Sequence, residues 1–176
     1  VGTSPWSMVC WIQTDDTGTI REIAGQFAGT FRGPLLRYQP TVGGLYLQWF
    51  NNSNVNFQAI YGPALTAGVW YFVAGTYDPA ELKMRLRVNN AAVELSGLMT
   101  GTFLESAAAF ALGQRGGTGG SFGTYWDGGI DEFGIWSRAL TSAELDILYN
   151  SGAGLAYPFT TSTPAMLHAA QRAAFA

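Results

Sequence analysis

Asp131 and Glu132 stand side by side, and paired carboxylates are the equipment that glycosidic-bond hydrolysis requires, provided they face each other roughly 5–9.5 Å apart. Neighbours on a strand point to opposite faces, so these two cannot close on one substrate and are expected to fix a corner of the chain instead. The 176 residues hold one histidine, His168, and one cysteine, Cys10. They leave no room for a disulfide within the chain or a tetrahedral zinc site, and little for a Ser/His or Cys/His nucleophile. Twelve acids against nine Lys and Arg give a net charge of −3, which denies the chain the positive field of a nucleic-acid binder.

The aromatic side chains are the better candidates for contact with another molecule. Six Trp, eight Tyr and eleven Phe make up 14% of the sequence, and flat rings stack on the apolar faces of sugars while nearby amides and carboxylates take the hydroxyls. Tyr46 and Trp49 lie on an alternating stretch near a turn. Tyr125 and Trp126 follow the glycine-rich residues 116–123, and being neighbours on an extended segment they should point opposite ways, one of them outward. Lys83, Arg85 and Arg87 alternate with Met84, Leu86 and Val88, which reads as one wet and one buried face of a strand.

These residues must be positioned mostly by sheet. Charged residues are only 12% of the chain and glycines number 23, a composition suited to strands and turns rather than to helices with charged outer faces. Residues 6–13 read as a strand that turns at Thr14, Asp15, Asp16, Thr17 and Gly18 and resumes over 19–27, the signature of a hairpin. Thr14-x-Asp16-x-Gly18 resembles the opening of a sialidase Asp-box, but Ile20 and Arg21 replace its Thr-Trp ending, which leaves a plain turn. Residues 45–50 and 55–60 alternate about Asn51, Asn52, Ser53 and Asn54 as a second hairpin. Residues 69–77 are apolar enough for a central strand, 83–88 return from the Asp78-Pro79 turn, and 110–114 and 128–136 complete the set. Helical grammar enters with Thr141 as N-cap, Glu144 three residues on and Leu140 placed to staple onto Leu145, predicting a helix over 142–150. With no earlier amphipathic helix to cover a sheet, the expected class is all-β, an antiparallel two-sheet β-sandwich with one short helix towards its end. Its core is expected to draw on Trp70, Phe72, Ala74, Phe133 and Ile135. No apolar run approaches the roughly 20 residues that cross a bilayer, so no membrane insertion is expected.

The run Val69-Trp70-Tyr71-Phe72-Val73-Ala74-Gly75-Thr76-Tyr77-Asp78, the strand Arg85-Leu86-Arg87-Val88-Asn89, and the block from Gly128 through Ile130-Asp131-Glu132-Phe133 to Arg138-Ala139-Leu140 and the capped helix resemble, in order and spacing, a laminin-G-like domain of the concanavalin A-like lectin and glucanase superfamily. The resemblance spans residues 6–157 and implies a jelly-roll sandwich. Two departures stand out: only Val1 to Pro5 precede Trp6, where the family usually has a further strand rich in Gly and Asp, and Asn89-Asn90 replaces the family's Asn-Gly turn. The superfamily's glucanases carry Glu-x-Asp-x-x-Glu on one strand, a string missing from this sequence, so the resemblance implies no enzyme. It implies a non-catalytic binding module for a glycan or a partner protein, with Tyr125, Trp126, Tyr46 and Trp49 as ligand contacts. Many members hold one calcium ion with Asp side chains and backbone carbonyls, and Asp78, Asp127 and Asp131 occupy the family-like blocks.

A sandwich over 1–159 is therefore expected, followed by a tail over 160–176. In the tail, Thr163 caps and Pro164 opens a short stretch with Met166, Leu167, Ala170 and Ala174 on one face. An arm of that kind suits self-assembly or docking onto a larger assembly. A single laminin-G-like domain with neither a signal peptide nor a disulfide pair suits a second class, the decoration or fibre protein of a virus particle, so the expected location is extracellular or on a virion surface.

Overall fold

The computed structural model describes residues 4–28, 31–103, 109–114 and 124–155. The predicted arm over 160–176, the end of the sandwich at 159 and the glycine-rich stretch 116–123 lie outside them. Among the described residues ten strands run in chain order as β1 (Trp6–Ile12), β2 (Arg21–Ala28), β3 (Phe31–Gln39), β4 (Gly44–Phe50), β5 (Asn56–Tyr61), β6 (Tyr71–Asp78), β7 (Lys83–Val88), β8 (Glu94–Leu95), β9 (Ala111–Leu112) and β10 (Ile130–Trp136), followed by helix α1 (Ser142–Tyr149). They form two five-stranded antiparallel sheets, ordered β10-β1-β6-β7-β8 and β5-β4-β3-β2-β9. The all-β sandwich with one short helix is thus the architecture observed.

The hairpin expected from residues 6–27 does not form. β1 pairs with β10 and β6, while β2 pairs with β3 and β9 in the other sheet, so the Thr14–Gly18 turn carries the chain from one layer to the next. The β4–β5 hairpin forms as expected, with Leu47 opposite Ala59 and Trp49 opposite Phe57.

Two apolar layers result. Between the sheets lie Met8, Cys10, Ile12, Ile23, Leu36, Tyr38, Leu45, Leu47, Trp49, Val73, Tyr77, Met84, Leu86 and Val88, all buried. On the outer face of the first sheet, Val9, Trp11, Phe72, Ala74 and Trp136 pack under Leu140, Leu145 and Leu148 of the corner and α1. That explains why β6 reads as an unbroken apolar run: Val73 and Tyr77 face the other sheet, and Phe72 and Ala74 face the helix. Each leucine buried there contributes roughly 1.5–3 kcal/mol of transfer free energy.

Helix α1 begins where the sequence predicts. The Glu144 N–H donates to the Thr141 hydroxyl at 3.3 Å and the Glu144 carboxylate accepts the Thr141 N–H at 2.9 Å, a reciprocal capping box. Arg138 adds a two-pronged ion pair to the same carboxylate at 2.8 and 2.7 Å. Asn150, at φ 47°, ends the helix in a left-handed cap.

Of the expected core residues, Phe72 and Ala74 are buried in the helix-side layer and Phe133 is half-buried against Phe110 at 5.6 Å. Trp70 and Ile135 are exposed. Trp70 precedes β6 instead of sitting within it, and Ile135 belongs to an edge strand, so neither has a second layer over it. The basic stripe is also corrected at one position. Arg87 is buried, ion-paired to Asp146 of α1 at 2.6 Å with its guanidinium over the Tyr149 ring, because the helix covers that end of the strand face.

Candidate functional site

One end of the sandwich is closed by a segment that passes from layer to layer. The Glu22 N–H donates to the Thr124 carbonyl at 2.8 Å and Tyr125 forms a parallel bridge with Glu22, which ties the segment to β2 of the second sheet. Five residues on, the Gln13 N–H donates to the Gly129 carbonyl at 3.0 Å, which ties it to the end of β1 in the first sheet. Between these anchors the Asp15 N–H donates to the Asp127 carbonyl at 3.1 Å. The buried Thr14 hydroxyl lies 2.9 Å from the carbonyls of both Asp16 and Asp127. The loop before β6 is drawn in by the Gly68 N–H, which donates to the Thr14 carbonyl at 2.9 Å. Three loops therefore interlock at this end.

Gly128 and Gly129 are there because nothing larger fits. Gly128 has φ 139°, and a Cβ on it would come within 2.0 Å of the Gln13 carbonyl oxygen. A Cβ on Gly129 would come within 2.5 Å of the Trp70 indole, so the far edge of the ring packs directly against the bare backbone of Gly129. Trp70 is 45% exposed. A glycine shelf thus carries a large aromatic ring at the surface.

The alternation along the crossing segment separates its two aromatics, as extended backbone requires. Trp126 turns inward to the inter-sheet core, where its indole N–H is shared by the carbonyls of Gln13 and Gly129 at 3.1 and 3.0 Å. Tyr125 turns outward and is 45% exposed. Beside it, Arg21 donates to the Tyr125 carbonyl at 3.2 Å and to Asp16 at 2.5 Å, and lies 3.8 Å from Asp127. Asp127 itself is 57% exposed at its side chain. The Thr19 hydroxyl, then the Gly18 N–H, then Arg21 hold the Asp16 carboxyl down to about 2, so it is ionised at any ordinary pH.

The other ligand candidates sit elsewhere. Trp49 is in the inter-sheet core, edge-on to Trp6 at 5.9 Å and to Tyr77 at 5.3 Å. Its stacking faces are taken, and so are those of Trp126, which corrects both as ligand platforms. Tyr46 does lie on the outer face of the second sheet, in a cross-strand row Glu22, Arg37, Tyr46, Ile60. It is buried there, however, with the Arg37 guanidinium 5.9 Å from its ring centre, so no open platform exists at Tyr46 either. Alternation alone could not tell an inner from a covered outer face.

The three aspartates expected to hold calcium do not converge. Asp78 terminates β6 beyond the Trp6–Tyr77 pair, and its carboxylate accepts the Ala80 N–H at 2.9 Å in a local turn. Asp131 lies opposite Trp11, near the other end of β1, and accepts the Glu132 N–H at 2.7 Å. Asp127 faces Arg21. At about 3.3 Å per residue, Asp78 is on the order of 20 Å of strand away from the other two. These side chains do not fit one ion, and among the described residues no three His, Cys, Asp or Glu side chains gather into a metal-binding group.

Asp131 and Glu132 do not face each other over a cleft. Glu132 occupies a β-bulge with φ 49° and accepts the Leu155 N–H at 3.0 Å, fastening the chain after the helix to the sheet. The residues that sequence reasoning missed are Trp70, Gln13 and Arg21. Only the tandem Gly128-Gly129 hinted that something large lies against the backbone, and nothing in the sequence said what.

Residues 1–146 match the family profile Laminin_G_3, described as a concanavalin A-like lectin/glucanases superfamily domain. No curated protein sequence matches the chain. Among solved structures, a Bacteroides ovatus protein designated carbohydrate-binding aligns with a TM-score of 0.63 at 22% identity, over 82% of this chain and 41% of that one. Domain 4 of an extracellular GH43 arabinanase from Geobacillus stearothermophilus, in complex with arabinotriose, aligns with a TM-score of 0.64 at 21% identity, over 82% of this chain and 66% of that one. The CBM40 of the Ruminococcus gnavus IT-sialidase, bound to α2,3-sialyllactose, gives 0.61 at 18%, over 81% and 80%. The chain thus spans less than two thirds of the length of the first two, and what it shares with all three at these identities is the jelly-roll fold.

Proposed function

The chain belongs to the laminin-G-like domains of the concanavalin A-like lectin/glucanase superfamily, and from that membership we propose that it is a non-catalytic carbohydrate-binding module which takes its ligand at the crossing end of the sandwich. The observation that carries this reading is Tyr125: an exposed ring on a backbone that is bridged to β2, with Arg21 bound to its carbonyl and reaching towards Asp127. A flat apolar face flanked by hydrogen-bonding groups is what a sugar ring needs on one side. The named relatives with bound arabinotriose and sialyllactose support a sugar over a protein as the ligand.

Hydrolysis is the reading to set against it, since Asp16 and Asp127 both approach one Arg21 nitrogen. A glycosidase needs one carboxyl with a raised pKa to protonate the leaving group. Asp16 is shifted the opposite way, to about 2, by the groups that grip it. Asp16 is gripped by Thr19, Gly18 and Arg21 and holds the turn in shape. No helix among the described residues is long and apolar enough to cross a membrane, and an extracellular setting agrees with the arabinanase relative. None of the relatives named above is a virion protein, so the decoration-protein alternative gains nothing from them.

A glycan array read with and without calcium tests the proposal. The expected outcome is binding to a restricted set of glycans that Tyr125→Ala abolishes while the thermal transition stays in place. An array that remains blank for the parent protein would end the reading.

A further inference from the structure

The crossing end carries a second exposed ring. Trp70 belongs to the first sheet's side of this end and Tyr125 to the second sheet's side, with the residues 126–129 running between them. Packed sheets lie about 10 Å apart, so the two rings cannot stack on one monosaccharide. The polar groups between and around them are Gln13, whose side chain accepts the Gly129 N–H at 3.3 Å and donates to Asp15 at 2.7 Å, and the carboxylates of Asp15, Asp16 and Asp127. Among the described residues, Arg21 is the one cation against those three carboxylates, and it already lies on Asp16 and Asp127. Lys83 and Arg85 are at the opposite end of β7 from this loop cluster, and Arg87 is under the helix.

Resting on the carbohydrate-binding reading above, we propose that this end is a two-platform site for a neutral oligosaccharide of at least two sugar units, spanning Trp70 and Tyr125, and that it rejects glycans carrying a carboxylate. The Trp70 indole is suited to the role by its support. The far edge of the ring is packed against Gly129 while the indole stays 45% exposed, so part of its side-chain freedom is already spent before a sugar stacks on it. The carboxylates accept hydrogen bonds from sugar hydroxyls, and the same charges repel a sialic or uronic acid.

Titration calorimetry of the full chain with arabinotriose, maltotriose, cellotriose and α2,3-sialyllactose tests this. At least one neutral trisaccharide should bind, its monosaccharide should bind about tenfold more weakly or worse, and Trp70→Ala and Tyr125→Ala should each weaken the trisaccharide about tenfold with the circular dichroism spectrum and melting temperature unchanged. Two results would overturn the two-platform site while leaving the carbohydrate module standing: a Trp70→Ala protein that binds the trisaccharide like the parent, or sialyllactose as the tightest ligand. If no sugar in this panel or on the array binds the parent, both readings fall together. Should Trp70→Ala unfold, Trp70→Phe, which keeps a smaller ring on the Gly129 shelf, is expected to bind measurably more weakly than the parent, and equal binding would count against the site.

Discussion

Trp11 and Trp70 belong to neighbouring parts of one sheet yet have opposite surroundings. Trp11, paired across the strands with Phe72, is sealed by α1, with Tyr149 stacked on it at 5.9 Å and 15°. Trp70 stands just before β6, past the reach of the helix, on a bare glycine shelf. Both rings pack against the fold; only one is covered. An aromatic ring that a fold immobilises but leaves facing water contributes little to stability, and its surface remains available to a ligand.

The contrast can be broken by mutation. Trp11→Ala should cost about 3–5 kcal/mol, read from urea unfolding, because it opens a cavity under α1; a loss below about 1 kcal/mol would mean that the helix does not seal this face. Glu144→Gln, which breaks the two-pronged contact with Arg138 and weakens the capping box, should cost about 1–2 kcal/mol at neutral pH. The pH dependence has a definite sign. The Arg138 hydrogen bonds, with those from Thr141, lower the Glu144 carboxyl from its ordinary 4.5 to about 2. Its contribution is therefore complete above pH 4.5 and drains away as pH falls towards 2, so the parent should lose stability over that interval more steeply than Glu144→Gln. Parallel melting curves for the two proteins from pH 6 to 2 would contradict this. Thr141→Ala should cost about 1 kcal/mol through the same cap. Smallest of all, Trp70→Ala should change unfolding free energy by about 0.5 kcal/mol or less, which together with its effect on sugar binding would separate the open end from the sealed face.

How much of this was legible depends on the distance over which a signal acts. The capping box of α1 was readable because Thr141, Glu144 and Leu145 lie within one turn, where local geometry is the whole story. The β4–β5 hairpin was readable for the same reason, since strict alternation on both sides of a short turn sets register. β3 escaped notice because Gly33-Pro34 interrupts it. In the sheet, Pro34 falls in the gap between the Gly25–Leu35 and Phe27–Arg32 pairs and beyond the last β3–β4 pair, so its missing N–H costs no ladder bond. The false hairpin at Thr14–Gly18 failed in the other direction. Its turn chemistry is real, with the Gly18 N–H on Asp16 at 2.7 Å, but a turn does not say whether the next strand rejoins the same sheet.

The candidate site divides along the same line. That one of Tyr125 and Trp126 would face outward followed from the sequence, because period-two alternation belongs to any extended segment. Which one it was, and that Trp49 and Trp126 are core while Trp70 is surface, required the layers to be in place, for a side chain's exposure depends on what packs over it. The chain's own residues determined that it would be a sandwich, through alternation, glycine-rich turns and an almost complete lack of charged helical faces. The juxtaposition of Gly129 with Trp70 and of Arg21 with Asp127 was decided only by tertiary structure. Residues so far apart in sequence meet through the strand order of two sheets, and strand order is a global property that no local propensity encodes.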